Sequence, residues 1–237
     1  MGGVLAIIPA RGGSKGIPGK NLKEICGHPL ISWTIVQAIE ELGEENVLVS
    51  TDDEEIFKSS AQYGHIFNYI RPKKLAKDTS PTEPCMLHAL EWYCKTTKKD
   101  PDYLMLLQPT SPVRKKDRLK EIINFAQKGS FDSALSVCET HSFFWKNTKN
   151  PSASYDIEYR PRRQDIEECD KQFKETGSIY LTKTEFLRTN KNRLGGKIGL
   201  FEMDPVEAYE IDTPLDFSIL GLITEYSDEF SSRFNAA

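Results

Sequence analysis

Apolar runs of strand length alternate with segments of helical period through the first 140 residues, and this rhythm limits the folds open to the chain. Strand patterns fall at Val4–Pro9, Asn46–Ser50, Ile66–Ile70, Tyr103–Leu107 and Ser133–Cys138, with helical patterns at about 29–42, 53–63, 83–97 and 115–128. Such alternation predicts right-handed βαβ units, hence an α/β fold with a mostly parallel sheet and helices on both faces. The stretch 139–175 breaks the rhythm. It is polar and aromatic, contains "NPSASYD" and "YRPRRQD", and has no helical period. It reads either as a long surface insertion or as the short strands of a small subdomain, and connections of this length are usually functional or interfacial. The rhythm then resumes with a strand at Ser178–Thr182, a short helix, a strand at Ile198–Met203 and a last helix from about 213. Thr213 can cap that helix, Pro214 suits its first turn, and Asp216 stands at capping-box spacing.

Composition narrows the function classes. The 237 residues carry 31 basic and 35 acidic side chains, a net charge of −4. General nucleic-acid binding needs a basic footprint, so it is not expected. Anionic small molecules respond to local charge and remain open. A mean hydropathy of −0.48 and apolar runs of only strand length argue against a membrane protein. The N-terminus has no basic region before its apolar run, so no signal peptide is expected. The five cysteines include no CxxC pair and the four histidines stand singly. Free thiols in a reducing cytoplasm, without a zinc site, are the expectation.

The chemistry lies in loops at strand ends, where open α/β sheets bind ligands. The first strand runs into "ARGGSKGIPGKN", where Gly12, Gly13, Gly16 and Gly19 interleave with Arg11, Lys15 and Lys20. Glycines admit close approach of backbone N–H groups to an anion, and the cations neutralise it. The spacing fits neither a Walker loop nor Gly-x-Gly-x-x-Gly, which leaves a different phosphate cradle or a solvated basic loop. "VSTDDEEI" offers Thr51 or Asp52 as a helix cap. "RPKKLAKDTSPTEP" offers Arg71, Ser80 and Thr82, either to read a base edge or to begin a helix. "LLQPTSP" exposes Gln108 at the sheet edge, where its amide can bond a sugar hydroxyl, while Ser111 can cap a helix. "YRPRRQD" concentrates Arg160, Arg162 and Arg163 as forks for carboxylate or phosphate, or as a solvated turn. In "AYEIDTPLD", Glu210 and Asp212 stand two apart and point to one side, suiting Mg²⁺ or simply preceding the last helix.

In order, "IPARGGSKGIPGKN", "VSTDDEEI", "RPKKLAKDTSPT", "LLQPTSP", "RPRRQD", "TGSIY", "GGKIGLFEM" and "EIDTPLDF" resemble the CMP-sialic acid synthetases, or acylneuraminate cytidylyltransferases. The resemblance implies a nucleotide-diphospho-sugar-transferase-like fold, with one domain over 1–237 and 139–175 as a dimerisation insertion reaching over the partner's active site. It implies reaction of CTP with a nine-carbon 2-keto sugar acid to give the CMP-sugar acid and pyrophosphate. Mg²⁺ would be the cofactor and a cytoplasmic homodimer, or a larger assembly, the working form. Neither nucleic acid nor membrane is an expected partner. The triphosphate would fall to Arg11, Lys15 and Lys20, with Asn21 touching the nucleotide and Arg71, Ser80 and Thr82 reading cytosine. Gln108, Tyr180 and Arg163 would meet the sugar acid, Arg163, Lys15 and Arg11 would be catalytic, and Glu210 and Asp212 would hold the metal. Relatives usually have serine at Thr82, asparagine at Thr176 and aspartate at Glu210. Animal relatives often add a phosphatase-like domain for which this chain is too short, which implies a bacterial or archaeal type. Legionaminic, pseudaminic or a related acid would be an alternative substrate to N-acetylneuraminate, with Trp145 and Thr176 as places where the choice is made. A non-catalytic sugar-nucleotide binder of the same fold is the rival, although it would need no metal carboxylate.

Overall fold

Strand β1 (Val4–Pro9) is apolar on both faces because both are covered: Leu5 and Ile7 on one side, Ala6 and Ile8 on the other, all 0% exposed. In the computed structural model, which describes residues 3–14, 16–227, 230 and 232–234, a two-strand ladder follows, β2 (Glu24–Ile25) with β3 (His28–Pro29). Then come α1 (Leu30–Leu42), β4 (Val47–Ser50), α2 (Glu54–Gln62), α3 (Thr82–Thr97), β5 (Tyr103–Leu107) and α4 (Arg118–Gly129). The second half holds β6 (Ser133–Thr140), β7 (Trp145–Lys146), β8 (Ser152–Ala153), β9 (Gln172–Lys183), α5 (Thr184–Asn190), β10 (Ile198–Glu202) and α6 (Pro214–Tyr226).

Six strands form one sheet in the order β10-β6-β9-β5-β1-β4. All run parallel except β9, which pairs antiparallel with both β5 and β6. One face packs on α1 and α4 through Ala6, Ile8, Ile35, Val49, Ile122 and Leu181. The other packs on α3 through Leu5, Ile7, Met86, Leu90 and Leu104. A third apolar cluster joins Ile17 of the glycine loop, Trp33 of α1, Val113, Ile211 and Leu220 of α6. At the start of α6 the Thr213–Asp216 capping box forms as expected. No helix among the described residues is long and apolar enough to cross a membrane.

Two sequence expectations change. Residues Ile66–Ile70 are not a strand. The segment alternates in burial as a strand does, but the N–H of Val49 on the neighbouring β4 donates to Nε2 of His65 (3.1 Å). A side chain thus takes the bond that a strand carbonyl would have accepted, and Arg71 N to Thr51 O (2.7 Å) is the segment's tie to the β4 end. The other change is the insertion. β6 and β9 run on beyond the sheet as a ribbon pairing Val137–Thr140 with Gln172–Glu175. The β7–β8 ladder and two short 3-10 turns complete it, and Phe144, Trp145, Ile157 and Tyr159 stand exposed on it.

His65 gives this architecture a pH dependence. Burial pushes its imidazole down to about 4, from 6.5 when unperturbed. Between those values the unfolded chain takes up a proton that the folded one refuses. The bond to Val49 is therefore fully effective above about pH 6.5 and lost as the pH falls toward 4. Thermal denaturation of His65→Gln should show a shallower fall in Tm over that window than the unsubstituted protein; parallel curves would contradict the role.

Candidate active site

The carboxyl ends of β1 and β5 open into a cleft of about 500 Å³. Its walls are the glycine loop, the segment 71–82, the turn after β5 and the strand-like segment carrying Glu210 and Asp212. The glycine loop is braced from within. Asn21 Nδ2 donates to the carbonyl of Arg11 (3.1 Å), and the N–H of Gly12 donates to Asp52 Oδ1 (3.2 Å). Gly12 lies so close to Asp53 that an added Cβ would overlap the carboxylate, 2.4 Å from Oδ2. Asp53, not Thr51 or Asp52, caps α2, accepting from the N–H groups of Glu55 and Ile56. Lys15 lies outside the described residues.

On the opposite wall Arg71 is only 5% exposed, yet its Nε and Nη2 have no hydrogen-bond partner among the described residues. Its Nη1 reaches Cys85 Sγ at 3.5 Å, and the carboxylate of Asp52 stands 4.0 Å from Nη2. A guanidinium sealed in this way is costly unless an acceptor completes it. Ser80 and Thr82 line the same wall, although the Ser80 hydroxyl is engaged by the Lys77 N–H and the Lys74 carbonyl. Across the cleft mouth, Arg11 Nη1 pairs with Asp78 Oδ1 at 2.5 Å.

The floor is the turn after β5. Gln108 lines the cleft, and its backbone N–H donates to Ser178 O (3.3 Å). Thr110 Oγ1 donates to Glu210 Oε1 (3.2 Å), and its carbonyl accepts from the N–H of Ile211 (2.8 Å). Ile211 is buried while Glu210 and Asp212 on either side face the cleft, so the two carboxylates converge as their spacing predicts. Lys20 Nζ donates to Ile211 O (2.5 Å) and lies 3.6 Å from Asp212 Oδ1. Desolvation by the surrounding cleft wall first, then the charge of Asp212, push the Glu210 carboxyl above the usual range; Thr110 and Lys20 oppose that rise. A hard divalent cation between the two would offset this repulsion, and Mg²⁺ commonly takes one or two carboxylates plus phosphate oxygens. The donor set therefore fits Mg²⁺.

Three expected residues lie elsewhere. Tyr180 is 4% exposed in the core on the α3 side of the sheet and does not line the cleft. Its hydroxyl donates to Glu175 Oε2 (2.8 Å), and burial with that bond pushes it up to about 12. Arg163 sits exposed in a short turn of the insertion, also away from the cleft. Thr176, expected near the sugar, is buried with its hydroxyl 2.6 Å from that of Ser136. Ser111 does not cap α4, because its hydroxyl donates to Thr176 O (3.2 Å). Thr110 and Asp78 were missed. Thr110's place two residues after Gln108 in one tight turn was a usable signal, whereas nothing local marked Asp78.

A family model described as cytidylyltransferase matches residues 5–226. The chain belongs to the cytidylyltransferase family. It is 33% identical over 230 residues to N-acylneuraminate cytidylyltransferase A of Danio rerio, covering 91% of this chain and 49% of that protein. The chain thus spans about half the length of that relative. It is 32% identical over 237 residues to the CMP-N,N′-diacetyllegionaminic acid synthase of Legionella pneumophila, covering 95% of this chain and 98% of that one. Among solved structures, the cytidylyltransferase fold superposes on a CMP-2-keto-3-deoxy-manno-octonic acid synthetase complexed with CTP. The TM-score is 0.69 at 18% identity, covering 94% of this chain and 98% of that one.

The acid pair depends on one glycine. Gly177 has φ +66°, and an added Cβ would lie 3.3 Å from both oxygens of Glu210. Gly177→Ala should cost about 1 kcal/mol from the backbone alone and displace Glu210 besides. A Tm lowered by several degrees in thermal denaturation is expected; an unchanged Tm would contradict the packing.

Proposed function

We propose that the cleft binds CTP and that the protein transfers the CMP unit to the anomeric hydroxyl of a nonulosonic acid, releasing pyrophosphate. The observation that carries this reading is Arg71, a nearly sealed guanidinium with two nitrogens unpartnered among the described residues, on the wall of a cleft that also presents Arg11, Lys20 and Lys77. A nucleotide supplies the acceptors that Arg71 lacks and the phosphates that the glycine loop suits. The relatives named above act on N-acylneuraminate or make CMP-N,N′-diacetyllegionaminic acid, which favours a sialic-type acid as acceptor. Legionaminic, pseudaminic and related acids are alternatives within the same reaction.

In the proposed step the sugar hydroxyl oxygen attacks the α-phosphorus in line. The new O–P bond forms as the bond from the α-phosphorus to the oxygen bridging to the β-phosphate breaks, and the hydroxyl proton passes to solvent water. Negative charge grows on the departing pyrophosphate, so positioning and cations supply most of the acceleration. Arg11, once it exchanges Asp78 for phosphate, and Lys20 carry that role, joined by Lys15. Asn21 holds the loop in shape through its bond to the Arg11 carbonyl. Asp212 and Glu210 would hold Mg²⁺, which supplies Lewis-acid stabilisation of phosphate oxygens and lowers the pKa of a nearby hydroxyl. Thr110 orients Glu210 for that task. Gln108 makes no side-chain hydrogen bond among the described residues and is placed to receive a sugar hydroxyl.

Residues 139–175 would form the homodimer contact, covering Phe144, Trp145, Ile157 and Tyr159, which are 48–78% exposed in the single chain. Arg163 would then act on the sugar carboxylate in a neighbouring cleft. Cytoplasmic residence accords with the five free cysteines.

Pyrophosphate release with CTP and Mg²⁺ should appear with one or more nonulosonic acids and be absent with ATP. Asp212→Ala should reduce turnover by about a hundredfold or more while CTP still binds in calorimetry. Equal turnover with ATP, or undiminished turnover in Asp212→Ala, would contradict the specificity or the metal assignment respectively. Failure of every acid would contradict the transfer itself.

A further inference from the structure

Arg114 is a charged side chain with no exposure at all, sealed beneath the floor of the cleft. Its Nη2 donates to the backbone carbonyls of Gln108 (2.9 Å) and Ser178 (3.1 Å), and its Nη1 to Thr34 Oγ1 of α1 (3.1 Å). It forms no salt bridge among the described residues; Glu41 and Glu207 support its charge from a distance, against burial and the nearby Arg233. A buried cation without an ion pair is costly. What its fork holds is therefore informative.

The two carbonyls belong to the turn after β5, which lines the cleft, and to the neighbouring strand β9. Gln108 leaves β5 there, and Ser178 follows Gly177 in β9, where the β6–β9 register shifts. From this junction the turn reaches onward: Thr110 to Glu210 and to the backbone of Ile211, and Ser111 to Thr176. The nucleotide side meets this network where Lys20 Nζ donates to Ile211 O, and it has braces of its own besides. Asn21 and Asp52 hold the glycine loop, and the Thr51 carbonyl receives the N–H of Arg71. Arg114 bonds to none of these.

We propose that Arg114 is a positioning residue that sets Gln108 for the sugar acid and, through Thr110, Glu210 for the transfer step, while making no bond to the loops that brace the nucleotide. The proposal rests on the cytidylyltransferase reading above. It separates two functions that share one cleft: the fork of Arg114 fixes the acceptor half, while the glycine loop and Arg71 fix the donor half.

Steady-state kinetics and CTP calorimetry on the full chain, with Arg114→Met, Arg114→Lys and Thr34→Val, test it. Arg114→Met should lower kcat/KM for the sugar acid by about tenfold or more, with the Kd for CTP within about twofold of the unsubstituted protein. Arg114→Lys keeps the charge and can still donate to one carbonyl, so it should recover part of the loss. A merely structural role would lower Tm and the fraction folded without separating acid kinetics from CTP affinity. Unchanged kcat/KM in folded Arg114→Met, or a parallel weakening of CTP, would overturn the proposal. If neither Arg114 variant folds, Thr34→Val carries the test, because it removes one of the three bonds. A several-fold loss confined to the acid supports the proposal, and unchanged kinetics overturn it. Absence of product from the unsubstituted protein would overturn the transfer reading itself, and the positioning role with it. An active protein with unaffected variants would overturn only the role of Arg114.

Discussion

The cleft depends on the shared burial of Ile17 and Ile211. These residues are nearly two hundred positions apart in sequence, yet both are essentially unexposed in one cluster with Trp33, Val113 and Leu220. Burying each such side chain is worth about 1.5–3 kcal/mol. That burial presses the glycine loop against the segment bearing the two carboxylates. Gly16 comes so close to the carbonyl of Asp212 that a Cβ would lie 3.2 Å from it, and Lys20 bonds the carbonyl of Ile211. Lys20 is thereby held 3.6 Å from Asp212 Oδ1, so a cation of the glycine loop and a carboxylate of the acid pair share one side of the cleft. An open loop of the same composition would have no such order.

The turn after β5 performs the corresponding task from below. Its backbone and hydroxyl groups make inward bonds to Glu210, Ile211, Thr176, Ser178 and Arg114, which leaves the Gln108 side chain to face the cleft. The single antiparallel strand makes this possible. β9 returns through the sheet with a register shift at the cleft edge, and Gly177, in a left-handed conformation, lets Glu210 lie against its backbone. The acid pair is thus positioned by two neighbours that differ in kind: a hydroxyl that bonds it and a glycine that makes room.

Much of this was legible in the sequence, for reasons that particular elements make plain. β1 and β5 matched their expected limits because strands buried on both faces read as unbroken apolar runs. The capping box at Thr213 formed because its determinants lie within four residues. Arg11, Lys20, Asn21, Arg71, Ser80, Thr82, Gln108, Glu210 and Asp212 all line one cleft, Arg11 and Gln108 because they follow the buried strands β1 and β5. Other features depended on distant partners. The failure of Ile66–Ile70 to pair turns on the side chain of His65, which periodicity cannot reveal. The length and direction of β9 depend on its two neighbours, and its shifted register decided which way Thr176 and Tyr180 face. The position of Arg163 is set by an exposed insertion whose local pattern carries no address.

The most direct test of the account is a crystal structure of the protein with CTP. The account predicts the nucleotide in the cleft, with an acceptor atom within hydrogen-bond distance of Arg71 Nε or Nη2 and triphosphate oxygens in place of Asp78 at Arg11. Nucleotide bound elsewhere, with both Arg71 nitrogens still unpaired and the Arg11–Asp78 bridge intact, would contradict it.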